Sequence, residues 1–549
     1  SRFIQCHENT IQIYEIHGNS HNFEVTNNYF YGSTQGPAIN VQKDSLTTSP
    51  IIKDNHFKKI KVLDYRERVI CLRLQKDVNL VEFNNNTFEE LETHYEDFSI
   101  RIIKENSIQT SLKFYECKFI KFKQKERGQF PSSTKEDPIP TETNIDITYE
   151  SCQFESNEGE GNGGCLHLKI KGECTITGCE FKGNKAINSG LGGSIYAEEG
   201  TLTITGSTFI NNCGEEGQAI YISDSEINVK INDDNKFINN FNKDKTDDQY
   251  TIFIGTNNIE INNNLFNIDE TQTEGTIPNN AGSLHLIKSG IISITGCQFN
   301  NIKCNKNIFY DTQSTSGKDK QITIEYNTFN KCIGEICYFN TATGSIEEIT
   351  IQYNEFIECE RKSGQTSVTI GVSKTTDSNT ILISSNNFKD CGENVDRTYV
   401  VYLFMDQSPG GLGDIKFENN TIFFTSSSKT CGGFRVDQPD RKVYINNCSF
   451  TGCQKLQTSD VYETTLSFNK ISLIKITDSK FNECGTVDGG NVIVIGSDVQ
   501  RCEIDFIEIE FSDPERSGAG INSYIDNIKI TNSRFIQCHE NTIQIYEIH

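Results

Sequence analysis

Apolar positions along this chain recur in short pairs two residues apart, each followed by a polar bend, a small polar residue, one variable residue and then Phe. The clearest copies are IEINNNLF ending at Phe266, ISITGCQF at Phe299, ITIEYNTF at Phe329, ITIQYNEF at Phe356 and IKITDSKF at Phe481. Alternation with period two predicts a strand with one buried face, and the Phe predicts a second strand pointing into the same core. A further alternating segment usually follows after a variable loop, as in TIQIYEI from Thr10, VICLRLQ from Val69, CLHLKI from Cys165, AIYIS from Ala219, SLHLI from Ser283, VVYLF from Val400 and NVIVIG from Asn491.

The anchors fall at Phe3, Phe30, Phe57, Phe88, Phe119, Phe154, Phe181, Phe209, Phe237, Phe266, Phe299, Phe329, Phe356, Phe388, Ile422, Phe450, Phe481 and, after an irregular coil near Phe506 and Phe511, Phe535. Spacings of 20 to 50 residues are the signature of a solenoid. A leucine-rich repeat would carry a helical return limb, whereas here the return limb alternates. The reading is therefore an all-β fold, a right-handed parallel β-helix, the right hand being the default for parallel connections.

Two residues before the anchors stand Asn28, Asn55, Asn86, Cys117, Cys152, Cys179, Ser207, Asn235, Asn264, Cys297, Asn327, Asn354, Asn386, Asn420, Cys448, Ser479 and Ser533. A small polar side chain at one point of every coil can stack on its copies and bond along the axis. One residue earlier, Asn, Asp and Gly dominate, for example Asn27, Asp54, Gly178, Gly206, Asn263 and Asp478. These types reach a left-handed backbone at least cost, as a tight bend requires.

A longer repeat encloses the shorter one. Residues 1–17, SRFIQCHENTIQIYEIH, return letter for letter as residues 533–549. The offset of 532 residues holds about eighteen coils of about 30 residues. Residues 1–532 are thus expected to form one continuous β-helix period and 533–549 the start of the next identical copy, with further copies joined end to end in one polypeptide or fibre. An overlap of one and the same segment is the competing reading. An interior slice would show no initiator Met, no signal peptide and no capping helix, and none is evident. No apolar stretch approaches the ~20 residues of a spanning helix, so no membrane insertion is expected in this segment.

Between residues 151 and 240 the chain carries SCQFESN, GGCLHLKI, GCEFKGN, GGSIYAEEG, GSTFINN and GQAIYI. These resemble the paired GGA[IL] and FxxN motifs of bacterial polymorphic outer-membrane proteins and of pectin-lyase-like β-helix surface proteins. The resemblance implies a secreted or surface protein acting in adhesion; it is a fold signal more than a function signal.

Charge and candidate chemistry narrow the choice. Lys plus Arg number 51 against 75 for Asp plus Glu, a net charge of −24. Nucleic acid is thereby excluded as an expected partner and anionic membrane disfavoured. Residues 124–143, with Pro131, Pro138 and Pro140, and residues 269–282 read as loops inserted into a continuous solenoid. The basic run 118–127 reads as an exposed face. Of the 20 cysteines, Cys332, Cys359 and Cys391 sit three residues after successive anchors, as do Cys453 and Cys484. Stacked coils about 4.8 Å apart permit inter-coil disulfides such as Cys332 to Cys359, and buried thiols stacked as small hydrophobes serve equally. No paired CxxC with His suggests zinc. The acidic pairs Asp233/Asp234 and Asp247/Asp248 are the best candidates for catalysis, yet neither belongs to a lyase, hydrolase or epimerase motif. No catalytic residue, metal ligand or cofactor site is assigned; calcium could collect on so acidic a surface, but no ligand loop is present. The expectation is a non-enzymatic extracellular or cell-surface fibre or stalk. The alternatives are a surface adhesin binding glycan or host protein through loops, and a polysaccharide lyase or hydrolase.

Overall fold

A computed structural model of the chain describes residues 2–4, 11–13, 23–32, 38–41, 49–62, 69–74, 78–93, 100–104, 110–124, 145–223, 227–256, 258–269, 280–287, 290–311, 320–340, 346–361, 367–373, 380–392, 399–404, 413–425, 432–437, 441–455, 464–486, 491–510, 520–525, 527–538 and 543–545. The inserted loops expected at 124–143 and 269–282 fall almost wholly outside them, as does the end of the basic run. Among the described residues every regular element is a β-strand. The chain divides into two units, Ser1–Pro278 and Asn279–His549. Each is a β-solenoid of stacked coils.

One coil of the first unit shows how sequence becomes shape. The strand Ile145–Glu150 ends at Ser151, whose φ is 54°. Cys152 follows, then the three-residue strand Gln153–Glu155, then Ser156 with φ 56°, then Asn157 and the strand Glu158–Glu160. A second left-handed residue therefore closes the far end of the Phe strand. Both bends recur. The first holds Asn27, Asp54, Asn85, Glu116, Gly178, Gly206 and Asn263, and the second holds Lys59, Glu90, Lys121, Gly183, Asn211 and Asn239, all at positive φ. In the second unit the same two columns hold Tyr326, Tyr353, Ser385, Asn419, Asn447 and Asp478, then Lys331, Glu358, Asp390, Gly452 and Glu483. Two left-handed corners around a strand of three residues turn the chain sharply and let the next limb run back over the core.

The coils stack in parallel and in register. In the first unit Phe30 pairs with Phe57, Phe57 with Phe88, Phe88 with Phe119, Phe119 with Phe154, and Phe154 with Phe181. In the second, Phe299, Phe329, Phe356, Phe388, Ile422, Phe450 and Phe481 succeed one another in the same way. The rings lie face to face, with centroids 4.6 Å apart for Phe154 and Phe181 and 4.9 Å for Phe329 and Phe356. That distance is the spacing of hydrogen-bonded strands, so backbone register and ring stacking reinforce each other. The Phe strands read exposed or half-buried, buried, half-buried or exposed. Only the middle residue enters the core, and burying each such ring contributes about 1.5 to 3 kcal/mol.

The structure supplies the anchor that the sequence reading left unassigned. In the irregular coil the residue stacked between Phe481 and Phe535 is Ile509, and Phe511 lies outside the described residues. Phe506 occupies the left-handed bend with φ 53° and lies on the surface, 57% exposed. Ile507 consequently enters the small-polar column. Within the strand Glu508–Glu510 only the middle residue, Ile509, is buried.

Candidate functional site

The column two residues before the anchor lies immediately after the first bend, where a side chain points into the corner between two strands. Within the first unit, Asn28 Nδ2 donates to Asn55 Oδ1 at 3.1 Å, Asn55 Nδ2 to Asn86 Oδ1 at 3.0 Å, and Asn235 Nδ2 to Asn264 Oδ1 at 2.9 Å. Within the second, Asn327, Asn354, Asn386 and Asn420 form an unbroken run with Nδ2 to Oδ1 distances of 3.0, 3.0 and 3.1 Å. The oxygen that accepts the amide also accepts the backbone N–H of the preceding coil, as Asn354 Oδ1 does from Asn327 N at 3.0 Å. Each Nδ2 additionally donates to a strand carbonyl one coil back: Asn55 to Val25, Asn354 to Ile324, Asn420 to Ile383.

That geometry explains why only Asn, Cys and Ser were legible in this column. The Cys117 thiol donates to Phe83 O at 3.2 Å, Cys152 to Phe114 O at 3.4 Å, and Cys448 to Phe417 O at 3.3 Å, the place an amide takes elsewhere. Cys179 Sγ accepts the Cys152 N–H at 3.3 Å, Ser207 Oγ accepts that of Cys179 at 3.1 Å, and Ser479 Oγ that of Cys448 at 3.2 Å. Cys297 N donates to Asn327 Oδ1 at 2.8 Å, and Ser533 Oγ accepts from Ile507 N at 3.3 Å. Apart from Ile507, the recurring feature is a small side chain with an acceptor for the buried N–H above it, since leaving that group unpaired costs about 1 to 3 kcal/mol.

A second ladder, which the sequence reading did not assign, follows the second bend. Asn157, Asn184, Asn212 and Asn240 are buried and bonded in series, Nδ2 to Oδ1, at 2.9, 3.1 and 2.9 Å. Their amides reach back to the carbonyls of Phe119, Phe154, Phe181 and Phe209. These are the Asn residues of the FxxN motif. Cys332, Cys359 and Cys391 hold the same position in the second unit, with thiols donating to Phe299 O, Phe329 O and Phe356 O at 3.4, 3.5 and 3.3 Å. Cys484 donates likewise to Phe450 O, and Cys453 is buried in the same column. All five are free thiols in the structure. Burial pushes the Cys332 and Cys117 thiols well above the ordinary range and raises Cys448 to about 12, so these groups are hydrogen-bond donors and not thiolates.

Outside the corners the first unit carries an alternating charge ladder. Lys61, Glu92, Lys123, Glu158 and Lys185 succeed one another in register on five coils. Beside it Lys58 bonds Glu89 at 2.8 Å, Lys59 faces Glu90 at 3.7 Å and Lys61 faces Glu92 at 3.1 Å. The Lys58 ammonium, bonded to Glu89, holds that carboxyl below the usual range.

The acidic candidates sit in a bend and in a loop. Asp233 and Asp234 both occupy the first bend at φ 55° and 63°, exposed, and Asp233 Oδ1 accepts from Asn263 Nδ2 at 3.3 Å. Asp247 and Asp248 lie in the loop before the strand Gln249–Ile254. No group of three or more His, Cys, Asp or Glu placed to hold a metal is found among the described residues, and no helix there is long and apolar enough to cross a membrane.

No family model matches the chain, and no curated protein matches it. The fold and its ladders thus stand on the geometry alone, and the motif resemblance adds to them only at the level of short segments.

Proposed function

We propose that this chain is a non-enzymatic structural protein, a segment of a tandem-repeat, right-handed β-helical fibre or stalk at the cell surface or outside the cell. The observation that carries this reading is the letter-for-letter return of residues 1–17 at 533–549. Both copies form the same pair of strands, Arg2–Ile4 and Ile11–Ile13 in one, Arg534–Ile536 and Ile543–Ile545 in the other. Arg2 and Phe3 pair with Tyr29 and Phe30 of the following coil. A coil of that sequence placed after residue 549 would meet Arg534 and Phe535 in the same register, and eighteen coils would close one period on the next.

The ladders support a mechanical role. Many of the described coils contribute buried hydrogen bonds directed along the stack at one or both corners, in addition to the sheet bonds, so that strain applied along the axis is shared among several parallel series of bonds. The reading assigns no cofactor, and its partners are further copies of the same sequence. The family resemblance and the net charge of −24, which keeps a long surface solvated, are consistent with an extracellular setting. Sequencing the gene across the repeat is the test. Multiple near-identical copies at intervals of 532 residues are expected, and a single copy flanked by unrelated domains would overturn the proposal.

A further inference from the structure

We propose that the second unit carries a glycan-binding site on its outer edge, built on Tyr326 and Tyr353; this inference is independent of the fibre reading. The two tyrosines succeed each other in the first bend column, a column otherwise given to small or polar residues among the described coils of this unit, apart from Phe506. Both hold left-handed backbone, with φ of 56° and 55°. A bulky residue there is uncommon and its conformation is held at a cost, which concentrates where a side chain is needed for more than the bend. The rings stack at 4.9 Å with 6° between planes, yet remain 58% and 48% exposed. Their neighbours in the column are Gly296 and Ser385, too small to cover the outer faces of the pair.

A polar row runs alongside. Glu325, Gln352 and Ser384 directly precede Tyr326, Tyr353 and Ser385 and pair with one another in register. Gln352 Nε2 bonds Glu325, and Ser384 Oγ bonds Gln352 Oε1 at 3.3 Å. A half-buried carboxylate and carboxamide, the latter backed by the buried Ser384 hydroxyl, therefore stand next in the chain to the aromatic pair. A pyranose ring matches this arrangement: its axial C–H face packs on an electron-rich ring face, and its hydroxyls bond to carboxylate and amide at the edge. Glu325 and the net charge of −24 favour a neutral sugar over a uronate or sulfated one. A neutral hexose of a polysaccharide seated on the outer ring face of Tyr326 or Tyr353 is the ligand class this arrangement fits.

Affinity electrophoresis of the full chain through gels containing soluble β-glucan, mannan or xylan, with polygalacturonate as the acidic control, tests the proposal. At least one neutral polysaccharide should retard the native chain. Tyr326→Ser and Tyr353→Ser, each a residue the column already contains, should weaken retardation about tenfold, the loss expected of a central aromatic contact. Tyr326→Phe should retain it, which separates loss of the ring from loss of the fold. Retardation by none of the neutral glycans, equal retardation of the Ser variants, or stronger retardation by polygalacturonate would overturn the proposal. So would Ser variants that alter only concentration-dependent sedimentation, since the tyrosines would then be a contact between copies of this chain.

Discussion

Replacing Asn354 by Ala removes one rung from the four-amide run of the second unit and leaves its neighbours with a defined deficit. Asn327 N loses its acceptor, Asn354 Oδ1 at 3.0 Å. Asn327 Nδ2 retains Ile294 O at 2.9 Å, and Asn386 Oδ1 retains the Asn354 backbone N–H at 3.0 Å, so neither is orphaned. Leaving one buried N–H unpaired costs about 1 to 3 kcal/mol, and the amide bonds lost to Ile324 O and Asn386 Oδ1 add about 1 more, giving about 2 to 4 kcal/mol in all. Asn354→Ser keeps an acceptor for Asn327 N, as Ser207 does for Cys179, but its hydroxyl turns to the carbonyl two residues back, as Ser207 does to Thr205 at 3.1 Å. Asn354→Cys keeps both roles, as Cys179 shows with Cys152 N and Tyr149 O. Both should cost about 1 kcal/mol or less. Urea unfolding ranks the four proteins, and hydrogen exchange at the Asn327 amide locates the effect, because a solenoid opens locally before it unfolds globally. Faster exchange at Asn327 is expected for Ala alone. If Ala, Ser and Cys prove equally tolerated and leave that exchange unchanged, the column is not a dry ladder.

His285 is held neutral by burial and by Lys306, its pKa lowered to about 4. The unfolded chain then binds the extra proton between about pH 6.5 and 4, so this group withdraws stability as pH falls through that window. His285→Phe, matching its register partner Phe309, should flatten the loss in a pH series of urea melts, and an unchanged pH dependence would contradict the assignment. Native thiol labelling should reach Cys213 and Cys538, which are only partly buried, before Cys332, Cys359 or Cys391; mass mapping of early adducts on the latter would show that the corner is open. Gly193→Ala should cost far more than Gly178→Ala, because a Cβ on Gly193 would lie 2.1 Å from Gln218 O whereas one on Gly178 meets nothing closer than 3.8 Å. Thermal melts should separate them by about 2 kcal/mol or more, the second paying only for its φ of 61°.

The parts of this fold that could be read from sequence are those where few residue types serve. Phe at the anchor and Asn, Cys or Ser at the first corner recur because a ring must stack on a ring and a buried N–H must find an acceptor. The second bend was hidden because Lys59, Glu90, Lys121, Glu358 and Glu483 do not advertise a left-handed backbone, and they adopt it because the stacked strands on either side impose it. Its ladder was half visible: FxxN was noticed at Asn157, Asn184 and Asn212, and the Cys triplet at Cys332, Cys359 and Cys391, but only the common carbonyl acceptor unites them. The anchor of the irregular coil stayed unassigned because Ile509 replaces the usual Phe while Phe506 stands at the bend. Tyr326 and Tyr353 were read past because nothing in their spacing says that their rings meet outside the core.

The axial spacing of the assembled protein tests the account most directly. Fibre diffraction or averaged electron images of the native material should give a strong meridional spacing at about 4.8 Å from stacked coils. If eighteen coils make one period, a weaker repeat at roughly 86 Å accompanies it. A helical spacing near 5.4 Å in place of the first would contradict the solenoid, and a clear 4.8 Å reflection with no long repeat would leave the solenoid standing and contradict the tandem fibre.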